Sequence, residues 1–305
     1  MIDFKDITLQ DKDTITGYTM NSCRRNCDLS FSNLCSWRFL YDTQYAVIDN
    51  FLVFKFWAGE QLAYMMPVGS GDLKAVLREL IEDADKEKHN FCMLGVCSNM
   101  RADLEAILPG QFTFTENRDY ADYIYLRSDL ATLKGKKFQA KRNHINRFRN
   151  TYPDYEYTPI TPDRIQECLD LEAEWCKVNN CDQQEGTGNE RRALIYALHN
   201  FEALGLTGGI LHVNGKIVAF TFGMPINHET FGVHVEKADT NIDGAYAMIN
   251  NEFANHIPEQ YIYINREEDL GLEGLRKAKL SYQPVTILEK YMACLKDHPM
   301  DIIRW

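Results

Sequence analysis

The same order of elements recurs in the two halves of the chain, and this constrains the fold more than any other feature. In the second half, strands at 206–213, 216–224 and 230–236 follow one another, and Asn214-Gly215 marks a two-residue hairpin. A helix over 244–256, a strand at 261–264, a helix at 270–280 and a last strand at 284–291 come next. The first half repeats the plan: strands at 45–48, 51–57 and 61–66, a helix at 72–88, a strand at 91–94, a helix at 100–108, and closing strands at 112–115 and 123–126. Alternating hydrophobicity giving way to helical spacing, twice, predicts an α+β chain with two domains of one kind.

A lead-in precedes the second set. It holds a strand at 155–159, a helix opened by Thr161-Pro162-Asp163, where Thr and Pro suit N-cap and N1, and a helix at 190–203. The polar run 179–189, with Gly186 and Gly188, reads as a connecting loop. The length of 305 residues suits two domains, placed at 1–132 and 151–305 with 133–150 as a basic helix joining them. No apolar run is long enough to span a bilayer, and Met1-Ile2-Asp3-Phe4-Lys5-Asp6 lacks the order of a signal peptide, so the cytoplasm is the expected location. Nine cysteines without Cys-x-x-Cys spacing predict reduced, buried thiols. Cys23, Cys27 and Cys35 cluster in sequence, but no histidine falls at a ligand interval, and no metal is expected.

The net charge of −11 argues against general coating of nucleic acid or membrane. One segment departs from that average. Residues 130–153 contain no Asp or Glu, yet carry Lys134, Lys136, Lys137, Lys141, Arg142, Arg147 and Arg149. Read as a helix, this segment has an apolar stripe of Phe138, Ile145 and Phe148, and Lys141 lies inside the stripe. A charge there either snorkels outward or points with Arg142 at an anion.

Three stretches carry a family resemblance. They are Ser30-Phe31-Ser32-Asn33-Leu34 with Trp37-Arg38, the run Leu133-Lys134-Gly135-Lys136-Lys137-Phe138-Gln139-Ala140-Lys141-Arg142-Asn143-His144-Ile145-Asn146-Arg147-Phe148, and Asn265-Arg266-Glu267-Glu268-Asp269 continuing through Gly271, Gly274 and Lys279 to Tyr282. Together they resemble a bacterial family similar to the C-terminal catalytic region of phosphatidylglycerol lysyltransferase. The element order is similar to that of the GNAT acyltransferase fold. The resemblance implies two tandem GNAT-like domains with mixed sheets, related to the Fem-type enzymes that move an aminoacyl group from charged tRNA to an amine or hydroxyl. The lysyltransferase also carries a large membrane-spanning region that this sequence lacks, which puts phosphatidylglycerol in doubt as the acceptor.

On that plan the strand ending at Glu236 borders the acyl cleft. Glu236 is then the candidate base, His234 a substrate contact and Tyr282 a proton donor to the leaving group. Asp269 is a further catalytic candidate at a strand end, or equally the N-cap of the following helix. The anion-binding candidates are Lys137, Lys141, Arg142, Arg147, Arg266, Lys277 and Lys279. Acyl transfer by direct attack needs proton removal and oxyanion stabilisation but no covalent nucleophile and no metal. The donor candidates are aminoacyl-tRNA and acyl-CoA. For CoA the loop 237–245 is a poor pyrophosphate cradle, with one glycine and two carboxylates, while Asp72 beside Gly69 and Gly71 reads as a helix cap. The alternatives are an acyl-CoA-dependent N-acetyltransferase and a non-catalytic module that binds a charged ligand or tRNA.

Overall fold

The computed structural model describes residues 2–179 and 185–296, which divide into two compact units. The first comprises Met1–Asp122, Glu268–Leu272 and the described part of Ile287–Trp305. The second comprises Tyr123–Glu267 and Glu273–Thr286. Both are mixed α+β. No helix among the described residues is long and apolar enough to cross a membrane.

In chain order the strands are β1 (Lys5–Asp6), β2 (Gln44–Ile48), β3 (Phe51–Ala58), β4 (Gln61–Tyr64), β5 (Val68–Gly69), β6 (Cys92–Val96), β7 (Phe112–Glu116), β8 (Asp122–Leu126), β9 (Glu156–Pro159), β10 (Thr207–Val213), β11 (Lys216–Pro225), β12 (Thr230–Ala238), β13 (Tyr263–Asn265), β14 (Thr286–Leu288) and β15 (Tyr291–Leu295). The first sheet runs β1-β2-β3-β4-β6-β15-β7, with β5 paired to β3. The helix Leu73–Lys86 covers it with Val76, Leu77, Leu80, Ile81 and Ala84, which form one apolar face packed into a core with Val53, Leu62 and Met93. Asp72 caps that helix, its Oδ1 accepting from the Ala75 N–H at 3.1 Å.

The second sheet runs β14-β8-β13-β12-β11-β10-β9. Its β10–β11 hairpin turns at Asn214-Gly215, both with positive φ (51° and 72°), as a turn that follows strand twist requires. β12 is antiparallel to β11 and parallel to β13. A bulge at His234 shifts the register with β11, where Phe222 pairs with Val235 and Gly223 with Val233.

One expected strand takes the other sheet, and a further strand, β15, follows the one expected at 284–291, which is β14 in the second sheet. Residues 123–126 do not close the first sheet: in β8, Leu126, Tyr125 and Ile124 pair with Tyr263, Ile264 and Asn265. The first sheet is completed instead by β15, whose Tyr291–Leu295 pair with Glu116–Phe112. Ala293 and Leu295 thereby join the first core. Periodicity reports that a segment is a strand, but partner choice depends on long-range packing.

The basic helix, Gln139–Thr151, does not stand between domains. Its Ile145 and Phe148, with Phe138 just before it, are buried in the second unit's core against Leu211, Val218, Met248 and Ile249. Burying Phe148 alone contributes about 1.5–3 kcal/mol, so the apolar stripe decides the helix's place and the cations follow it. Part of the expected connecting loop is helical. Helix Glu185–His199 already includes Gly186 and Gly188, and 180–184 lie outside the described residues.

The thiols are not all reduced. Cys92 on β6 and Cys294 on β15, directly opposed in the antiparallel ladder and 202 residues apart in sequence, form a disulfide. Sequence spacing conceals this pair because the sheet alone brings the two strands together. Cys27 and Cys35 are buried free thiols, and Cys23 is exposed.

Candidate functional site

The second unit gathers a charged and aromatic cluster from six segments of the chain. Lys141 Nζ, from the basic helix, lies 3.8 Å from the centroid of the Tyr282 ring, and Arg266 Cζ lies 4.8 Å from the same centroid. Arg266 Nη2 donates to Glu236 Oε1 at 3.0 Å. Asn250, on the helix Ala245–His256, donates from Nδ2 to Glu236 Oε2 at 3.1 Å. The ring of Tyr125 on β8 lies 5.6 Å from Arg266 Cζ.

Local backbone chemistry aims Arg266. β13 ends at the fully buried Asn265, whose side chain accepts from the Glu267 N–H at 2.7 Å, while Glu267 takes a positive φ of 61°. Arg266, between them, is held by its N–H on the Tyr123 carbonyl and by its carbonyl, which accepts from Lys279 Nζ at 2.5 Å. The Tyr125 hydroxyl donates to the Lys279 carbonyl at 2.7 Å. Lys279 therefore builds the frame around Arg266.

The cluster's charges do not cancel. Two cations face one carboxylate, and burial, then Arg266, depresses the Lys141 pKa to about 8 against the opposing pull of Glu236. Burial works against the Arg266 charge, but Glu236 and the neighbouring tyrosines hold its pKa above the ordinary value. Burial likewise raises Tyr282, with Arg266 opposing, so its hydroxyl keeps its proton at neutral pH. Arg266 Nη1 and Asn250 Oδ1 are buried and have no hydrogen-bond partner among the described residues. Buried orphans of that kind mark strain or a ligand position.

Four residues singled out from sequence thus converge: Lys141, Glu236, Arg266 and Tyr282. The others have different partners. His234 pairs through Nδ1 with Glu267 Oε1 at 2.7 Å. Asp269 belongs to the first unit, fully buried, where Oδ1 accepts from the Gly271 N–H at 2.9 Å and Arg118 Nη1 lies 3.4 Å from Oδ2. It does not cap the next helix, which begins at Glu273. Lys137 pairs with Asp129 at 2.9 Å and the exposed Arg147 with Asp243 at 2.7 Å. Lys277 is exposed. Arg142 donates to the carbonyls of Leu133 and Gly135 and to Gln139, fastening the turn before its own helix. With Asn146 and Arg149 it lines a polar groove of about 370 Å³, whose other wall includes Asn251, Glu252 and Asn255.

Sequence reasoning did not single out Asn250 or Tyr125. The one signal for Asn250 was a pair of amides, Asn250-Asn251, at buried positions of an otherwise apolar helix face. Tyr125 gave none, because its strand was assigned to the other sheet.

The first unit carries a different cluster. Lys290 Nζ lies 2.8 Å from carboxylate oxygens of Asp28, Asp122 and Glu268, and 3.6 Å from Cys27 Sγ. Donor atoms of Cys27, Asp122 and Glu268 fall within 4.8 Å of one another, a set that could hold a metal. Here an ammonium supplies the positive charge. The carboxylates drive the Lys290 pKa up against the cost of burial, and burial with the same carboxylates raises the Cys27 thiol.

A conserved protein of unknown function from Bacteroides thetaiotaomicron has the same structure, with TM-score 0.96 and 93% identity over 97% of this chain and 100% of that one. L-PGS from Bacillus licheniformis shares the fold at 17% identity, with TM-score 0.66 over 98% and 95% of the two chains. FemX does so at 9% identity, with TM-score 0.57 over 95% and 97%. An uncharacterized protein of Mycoplasmoides gallisepticum is 26% identical over 175 residues, 56% of this chain, and the match spans 55% of that protein's length. The architecture is that of two tandem GNAT-like units with mixed sheets. Residues 20–294 match the family described as phosphatidylglycerol lysyltransferase, C-terminal, and the chain belongs to that family.

Proposed function

We propose that the protein is an aminoacyltransferase that moves an aminoacyl group from charged tRNA to an amine or hydroxyl acceptor, with the chemistry at Arg266 in the second unit. Membership of the lysyltransferase family supports the reaction class. The observation that carries the site is the excess of cation around Tyr282: Lys141 and Arg266 against Glu236 alone, with Arg266 Nη1 free to donate.

The step balances simply. The acceptor's lone pair forms a bond to the ester carbonyl carbon, and the carbonyl electrons move to oxygen. Arg266 Nη1 and Lys141 stabilise that oxyanion in a site with little water. Collapse breaks the bond to the ribose oxygen, which takes up a proton from Tyr282, and the acceptor's proton restores Tyr282. Both oxygens of Glu236 are engaged, by Arg266 and Asn250, so its part is to aim Arg266.

Aminoacyl-tRNA is favoured over acyl-CoA by the loop before the helix Ala245–His256. Asp243 there pairs with Arg147, Asp239 holds Asn241, and a Cβ on Gly244 would lie 3.1 Å from the His144 carbonyl oxygen. Two carboxylates and a tight fit against the basic helix oppose a pyrophosphate. The test is transfer of labelled amino acids from a charged tRNA pool to a panel of amines and alcohols. Arg266→Gln should lower kcat/KM by ~10²–10³-fold with the fold retained by circular dichroism. Undiminished transfer by that variant, or transfer by the wild type from acetyl-CoA alone, would overturn the reading. Binding of charged tRNA without turnover would mark a ligand-binding module instead.

A further inference from the structure

Asn250 offers an inference beyond the reaction class. Its side chain is buried in the helix Ala245–His256, with the residue 4% exposed, and its orientation is fixed by its neighbour. Nδ2 faces the Glu236 carboxylate, and the flipped amide would set oxygen against oxygen. Oδ1 is therefore an acceptor, buried and without a donor among the described residues. On the other oxygen of the same carboxylate sits Arg266, whose Nη1 is a buried donor without an acceptor. The site thus presents one unused acceptor and one unused donor on either side of Glu236. Leaving either unsatisfied in a buried place is costly, and a group carrying an N–H donor next to a carbonyl oxygen offers the two complementary functions.

We infer that Asn250 is the specificity-determining residue for an α-amino group on the acyl moiety: the amino group donates to Asn250 Oδ1 while the adjacent carbonyl oxygen accepts from Arg266 Nη1. A simple acyl group fills only the second position and leaves Asn250 unsatisfied. The inference rests on the transferase reading for the identity of the acyl group, but not for the binding itself. Asn250 is neutral and accepts from an amine in either protonation state, while Glu236 offsets the nearby cations.

The test is titration of the protein, followed by NMR, with matched amides: alaninamide against propionamide, and lysinamide against 6-aminohexanamide, each pair differing by the α-amino group alone. Hexylamine reports recognition of an amine without the carbonyl. The wild type should prefer the α-amino member of at least one pair by about tenfold or more. Asn250→Ala should erase that preference while binding the des-amino member within about twofold of wild type, an asymmetry that mere loosening of the site would not give. Equal binding within both pairs, no binding by any amide, hexylamine binding as well as lysinamide, or a preference that survives Asn250→Ala would each overturn the inference. The failures are separable. Transfer from charged tRNA without α-amino preference sinks the Asn250 assignment and leaves the transferase reading intact, and preference without transfer does the reverse.

Discussion

The two units each bury lysine among carboxylates and ring or thiol groups, yet the two clusters have opposite electrostatic balance. In the first, one lysine meets three carboxylates, and every charge is within 2.8 Å of its partner. In the second, two cations share one carboxylate, Lys141 rests on an aromatic face, and an arginine nitrogen and an amide oxygen are unused. In the first arrangement one ammonium holds all three carboxylates, although Asn26, which donates to Asp28, leaves its own Oδ1 unused. The second has donors left for something else. Buried charge by itself therefore does not mark a functional site; what distinguishes the second cluster is an excess of cation with an unused donor and an unused acceptor on one carboxylate.

If the Lys290 cluster is closed and structural, Lys290→Met should be the most damaging change for stability. It strands Asp28, Asp122 and Glu268, and should cost ~3–5 kcal/mol, read as a lower urea midpoint. Stability near wild type would show that those carboxylates simply take up protons and would weaken the contrast. The pH dependence has a definite sign. Lys290 holds the Asp28 pKa below its ordinary value against the cost of burial, so this contribution is present above the ordinary carboxylate range and is lost as pH falls through the lowered value. An acid transition shallower in Lys290→Met than in the wild type is the expected signature.

Next in size is the disulfide of the first unit, which fastens β15 into the sheet between β6 and β7. Reduction, or Cys294→Ser, should remove ~2–4 kcal/mol and raise hydrogen exchange in β15. Unchanged exchange would show that the ladder and the core packing of Ala293 and Leu295 hold that segment without the bridge.

The smallest effect sharpens the other side. Lys141 is charged only below about 8. Oxyanion stabilisation that uses its ammonium should weaken as pH rises through that value, and Lys141→Arg should carry the activity to higher pH. Lys141→Met should lower kcat/KM about tenfold and flatten the profile near pH 8, a loss of roughly 1.4 kcal/mol. A wild-type profile flat through pH 8, or one that Lys141→Met leaves unaltered, would remove Lys141 from the site.

Much of this was legible in the linear chain because it rests on local physics. The meander β10–β12 follows from period-two alternation and Asn214-Gly215, and the Asp72 cap follows from one carboxylate before a helical stripe. Lys141 was conspicuous as a charge within the apolar line of Phe138, Ile145 and Phe148, and Arg266 as a cation at a strand end. Roles within the basic segment were not legible. Arg142, adjacent to Lys141, turns to the carbonyls of Leu133 and Gly135, and Arg147 turns to Asp243. One residue's rotation around a helix separates a site residue from a turn clasp.

The sequence by itself determined the kinds of elements, their repetition, and the concentration of cation in an acidic chain, since each depends on neighbours a few residues apart. Only the tertiary structure decided that β8 joins the second sheet and β15 the first, that Cys92 meets Cys294, and that Asn250 shares Glu236 with Arg266. Those pairings join residues from 14 to 202 positions apart. They are set by which surfaces bury well together, and no local pattern encodes that choice.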